Sequence, residues 1–121
     1  MINESRLLAE FLELVKIDSP TNNERKIADV LKQKLTKLGL TVFEDNVGKI
    51  IGGNTGNIFA TLPGNISAPK LLLSAHMDCV SPCTNVNPQV LSDRITSDGT
   101  TILGADDKAG IAPILEALKT I

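Results

Sequence analysis

The chain of 121 residues, 42% hydrophobic and 21% charged, has the size and composition of one globular domain or a large part of one. With three Phe and no Trp or Tyr, its core must be built from Leu, Ile, Val and Ala, which argues against stacking on nucleic-acid bases. The net charge of -2 comes from interspersed charges, and no Lys or Arg run forms a footprint for nucleic acid or anionic lipid, so neither nucleic acid nor membrane is an expected partner.

The N-terminal stretch "MINESRLLAEFLELVKIDSP" carries charges inside its apolar pattern and lacks a basic n-region and a small-residue cleavage site. No apolar run approaches membrane-spanning length. The expectation is a cytoplasmic protein whose two cysteines stay reduced.

Leu7, Leu8, Phe11, Leu12, Leu14 and Val15 recur at helical spacing, which predicts an amphipathic helix of roughly three to four turns ended by Asp18-Ser19-Pro20. Thr21 with Glu24 is a capping-box pattern, so a second helix is expected from Asn22, burying Ile27, Val30, Leu31, Leu35 and Leu38 and stopping at Gly39. "LTVFED" (40–45) and "NIFATL" (57–62) read as short strands separated by a glycine-rich connector and followed by the Pro63-Gly64 turn.

"KLLLSA" (70–75) is continuously apolar, the pattern of a strand covered on both faces as in parallel or mixed sheets. Residues 79–100 read as loop, with "QVL" and "RITS" forming a hairpin around Ser92-Asp93. "GADDKAG" (104–110) leads into a last helix, and Pro113 is tolerable there only if that helix starts near Ala109 to Ala112. The order predicts an α/β fold, a mixed and largely parallel sheet with helices packed on it. No repeat, low-complexity tract or linker divides residues 1–121.

In "AHMD" the residues His76 and Asp78 are two apart, so on extended backbone both side chains leave one face. A metal-binding histidine uses one ring nitrogen on the metal and donates the other N–H to a carboxylate, and His-x-Asp supplies both parts. The plainer alternative is a histidine that finishes a strand and bonds locally. Asp106 and Asp107 precede a helix and in isolation read as caps that favour its positive end; the other reading is that one of them faces a site.

Gly99 and Gly104 have the spacing of a phosphate loop, but Ala105 and Asp106 stand where Lys and Ser/Thr are required. Cys79 and Cys83 form C-x3-C without a second Cys/His pair and lack the four ligands of a structural zinc site, so they read as ordinary thiols.

"SAHMD" and "SDGTTILGADDKAGIA", with 27 residues between Asp78 and Asp106, together resemble the co-catalytic zinc peptidase family of tripeptidase T, carboxypeptidase G, aminoacylases and succinyl-diaminopimelate desuccinylase. "ILGADDKAG" looks most like the tripeptidase T branch. "FLELVKIDSPTNNE" is similar to that family's opening helix and capped second helix, so the resemblance runs through the chain.

The resemblance implies that residues 1–121 are the N-terminal portion of a catalytic domain of phosphorylase/hydrolase-like fold. It makes His76 a ligand of one metal, Asp78 the catalytic carboxylate that orients it, Asp106 the carboxylate bridging two metals and Asp107 a supporting residue. It also implies a cis Asp106-Asp107 peptide bond. The cofactor is two zinc ions per complete site, and the donors also suit cobalt or manganese. The implied reaction is hydrolysis of short peptides by a metal-activated water.

The family's general base, remaining ligands and lid domain come after "DDKAG", so the chain alone is expected to bind zinc weakly and to hydrolyse no peptide. Hydrolysis of N-acyl amino acids is the alternative within the enzyme class. A non-catalytic remnant or binding module is the alternative outside it.

Overall fold

The computed structural model describes all residues, Met1–Ile121. The first helix, α1 (Glu4–Val15), starts where the Asn3 side chain accepts the Arg6 N–H at 2.9 Å, a cap that satisfies one of the helix's free amide donors. Its apolar stripe then faces inward, with Leu14 and Val15 fully buried.

The second helix, α2 (Arg25–Lys37), begins three residues later than expected. Thr21 does not cap it: Asn22 adopts a φ of 70°, and the Glu24 carboxylate accepts the Asn22 N–H at 2.7 Å. The expected stop at Gly39 is present, at a φ of 87°.

Strands β1 (Thr41–Glu44) and β2 (Ile58–Thr61) pair antiparallel, with Phe43 opposite Phe59. The glycine-rich connector between them contains a short helix, α3 (Val47–Ile51), started by the Asp45 carboxylate, which accepts the Val47 N–H at 3.1 Å. Strands β3 (Gln89–Val90) and β4 (Ile95–Thr96) form the expected hairpin.

The last helix, α4, is assigned over Ala105–Thr120, but Asp106 and Asp107 have non-helical backbone angles, so continuous helix begins at Lys108. Pro113 therefore lies little more than one turn inside, close to the predicted start.

Helices α1, α2 and α4 share one core of Leu14, Ile27, Leu31, Ile111, Ala112 and Leu115, against which Ala75 and Met77 pack. Two buried carboxylates are paired across the helices. Glu10 meets Lys34 of α2 at 2.9 Å and Lys119 of α4 at 2.7 Å. Glu116 receives Arg6 through two bonds of 2.7 Å and the Asn3 N–H at 2.8 Å. The α1–α4 pairing is thus fixed in register as well as by apolar contact.

The expected largely parallel sheet is not seen among these residues. Both sheets are two-stranded and antiparallel, and the single parallel pairing is a bridge between Pro20 and Cys79. The run 70–75 has no ladder partner, and Leu71 and Leu72 are 84% and 88% exposed. Continuous apolarity records a demand for cover on both faces, and no element among these residues supplies it.

Two outcomes follow from the packing. Leu14→Ala should lower stability by about 2–5 kcal/mol, read from the urea unfolding midpoint, because it empties a fully buried site. The Arg6 guanidinium and the Asn3 N–H hold Glu116 down to about 2, against an ordinary 4.5. The folded state therefore keeps this proton off where the unfolded chain takes it up. The contribution is complete above pH 4.5 and is lost as pH falls toward 2. Urea midpoints measured across that acid range should fall less steeply for Glu116→Gln than for the parent.

Candidate functional site

The backbone from Ala75 to Cys79 alternates. Ala75, Met77 and Cys79 turn toward the interior, while His76 and Asp78 lie toward solvent on one face. Inward anchoring by alternate residues fixes where the outward pair points.

The His76 ring is held from both sides. Nδ1 lies 3.0 Å from the Asp78 carbonyl oxygen and 3.1 Å from Asp78 Oδ1, and both are acceptors, so Nδ1 carries the proton. Nε2 lies 2.8 Å from Asp106 Oδ1. In the metal-free chain that contact is a hydrogen bond only when Nε2 is protonated too. Asp106 accordingly raises the His76 pKa above its ordinary value; burial opposes this, and the Asp78 carbonyl and both carboxylate charges add to it. The sequence-predicted His76, Asp78 and Asp106 thus meet at one ring.

Asp107 does not meet that ring. The Asp106-Asp107 peptide bond is cis, as the resemblance implies. The Asp107 carboxylate folds onto Gly110, where a Cβ would stand 2.5 Å from its Oδ1. Glycine at that position leaves the space Asp107 occupies.

Three residues outside the expected set complete the surroundings. The Thr21 hydroxyl donates to Asp78 Oδ2 at 2.6 Å. Ser19 O accepts the Cys79 N–H at 2.8 Å, which stitches the loop after α1 to the segment carrying His76. Lys108, almost wholly buried, donates from Nζ to Ile17 O at 2.8 Å. Burial pushes the Lys108 pKa down, while the nearby Cys79 and Cys83 thiols and Asp18 oppose the shift.

The sequence did contain a signal for Thr21, since "DSPT" interrupts two helical patterns. Capping-box spacing, a local pattern, assigns its hydroxyl to a helix start, whereas the contact it makes is to a residue 57 positions away.

Cys79 and Cys83 are buried free thiols. The Cys79 thiol points to the carbonyls of Gly104 and Asp106, at 3.8 and 3.9 Å, and Cys83 lies over the Cys79 carbonyl. Both pack beneath the site.

The donors can be tested against a metal ion. His76 offers the unprotonated Nε2 of an Nδ1–H tautomer, and Asp106 offers a carboxylate whose side chain is 94% exposed. A tetrahedral ion with bonds of about 2.0–2.2 Å would hold these two atoms about 3.4 Å apart. The gap of 2.8 Å must then open by roughly half an ångström, which the unconfined Asp106 side chain allows. The chemistry fits as one edge of a coordination shell. No group of three or more His, Cys, Asp or Glu side chains in the chain converges to hold an ion.

No protein-family profile matches the chain. It is similar to a solved tripeptidase from Staphylococcus aureus subsp. aureus Mu50, at 54% identity and a TM-score of 0.97, covering 100% of this chain and 33% of that one. It is also similar to the solved aminopeptidase PepT from Bacillus cereus ATCC 10987, at 44% identity and a TM-score of 0.90, covering 98% of this chain and 32% of the other. Peptidase T of Escherichia coli (strain SE11) is 29% identical over 160 residues, with 96% of this chain and 37% of that protein covered. The chain spans about a third of the length of the relatives it matches.

Proposed function

We propose that residues 1–121 are the N-terminal part of the catalytic domain of a peptidase T-like metallopeptidase, which releases the N-terminal residue of short peptides, tripeptides above all. The observation that carries this reading is His76, with one nitrogen held by Asp78 and the other aimed at Asp106. The backbone holding this arrangement is shared with a tripeptidase at a TM-score of 0.97.

In this reading His76 Nε2 and Asp106 hold the metal, zinc by preference and cobalt or manganese by donor chemistry. Two zinc ions, when bound, polarise the scissile carbonyl and make water acidic. Asp78 keeps the proton on His76 Nδ1, so that Nε2 presents its lone pair. Asp106 has Oδ1 facing His76 and a second oxygen with no hydrogen-bond partner, which suits a bridging carboxylate. Asp107 supports the turn that presents Asp106.

The exposed apolar run 70–75 joins the mixed, largely parallel sheet of the whole domain, whose other strands cover Leu71 and Leu72. The buried free thiols suit a reducing, cytoplasmic setting. No helix is long and apolar enough to cross a membrane.

The chain contributes two donors and no general base, so by itself it hydrolyses nothing. A chimera in which residues 1–121 replace the matching third of the Staphylococcus aureus tripeptidase should hydrolyse tripeptides in a chelator-sensitive way. His76→Ala and Asp106→Ala in that chimera should each lower kcat/KM by at least about a thousandfold, the loss expected when a metal's catalytic contribution is removed. An inactive but folded and zinc-loaded chimera, or turnover indifferent to both substitutions, would contradict the reading.

A further inference from the structure

We infer that Thr21 is a positioning residue that fixes the rotation of the Asp78 carboxylate and, through it, the tautomer of His76. The inference rests on the reading of His76 as a metal ligand. It adds a residue that neither motif of that reading contains.

The terminal torsion of Asp is broad and nearly two-fold, so one hydrogen bond from His76 leaves it free to rock. In the structure its two oxygens have separate partners: Oδ1 lies 3.1 Å from His76 Nδ1, and Oδ2 accepts the Thr21 hydroxyl at 2.6 Å. That short O–H···O contact is in the range of charge-assisted bonds. With Oδ2 occupied, Oδ1 stays on the ring.

Thr21 is itself held. The Pro20–Cys79 bridge and the Ser19 O bond to the Cys79 N–H place its backbone alongside the segment carrying Asp78. Its Cβ methyl makes χ1 stiff, so the hydroxyl is aimed with little loss of freedom on forming the bond. Thr21 is exposed and lies outside the core cluster, so its hydroxyl matters to the carboxylate and not to packing.

The test uses the 121-residue chain, in which His76 is the only histidine, so its ring signals need no assignment. Zinc affinity is read by competition with a chromophoric chelator, and the metal-free tautomer by long-range 1H–15N correlation above the histidine titration. Thr21→Val should weaken zinc binding about tenfold, while Thr21→Ser stays within about twofold of the parent. Without metal, Thr21→Val should mix the two neutral tautomers where the parent and Thr21→Ser hold the Nδ1–H form. In an Asp78→Ala background, Thr21→Val should add nothing, which a merely structural role of the loop would not predict.

The inference is overturned if Thr21→Val leaves affinity and tautomer unchanged, if its effect persists without Asp78, if Thr21→Ser behaves like Thr21→Val, or if Thr21→Val unfolds the chain. A parent chain that takes up no zinc at His76 refutes the metal reading instead. The tautomer comparison then decides the role of Thr21 by itself.

Discussion

The ammonium of Lys108 sits almost fully out of water and donates to the carbonyl of Ile17 at 2.8 Å, and the arrangement of the site depends on that contact. Burying a cation costs several kcal/mol unless it is paired or hydrogen-bonded. The carbonyl after α1 and the polar thiols beside it meet that demand at one place only. The first turn of regular α4 is therefore tied to the loop 17–21, and the same loop is stitched to the segment 76–79 by Ser19 O and by Thr21. Asp106 comes from one side of this junction, and His76 and Asp78 come from the other.

The larger frame serves the same end. Apolar contact alone would let α1 slide against α4, because a stripe of Leu and Ile is tolerant of register. The buried Glu116, bonded to Arg6 and to the Asn3 N–H, and the buried Glu10, ion-paired with Lys34 and Lys119, remove that freedom. Charges are spent inside the helix layer, while the donors for a cation are left at the surface. His76 is half exposed and Asp106 almost wholly so, which leaves both open to further ligands.

Local pattern carried much of this into the sequence. Helical spacing located α1, β-rich runs located strands β1 and β2 and the β3–β4 hairpin, and the two-residue offset of His76 and Asp78 put them on one face. Four features were not legible, each for a physical reason. The start of α2 moved because the Thr21 hydroxyl meets a carboxylate 57 residues away, a contact no local window holds. The short helix Val47–Ile51 was hidden by the glycines in it and after it, and its first N–H is accepted by the Asp45 carboxylate. The run 70–75 reads as a buried strand, but it forms no ladder and lies exposed, because no element among these residues covers it. The burial of Lys108 is the last, since nothing in "DDKAG" says that its ammonium turns inward.

The central claim is that His76 Nε2 and Asp106 are two donors to one ion. Zinc-edge anomalous diffraction from crystals of the chain grown with zinc tests it most directly. A peak is expected in the gap between Nε2 and an Asp106 carboxylate oxygen, about 2.0–2.2 Å from each, with Nδ1 still on Asp78. Zinc found on Cys79 and Cys83, with none at His76, would contradict it.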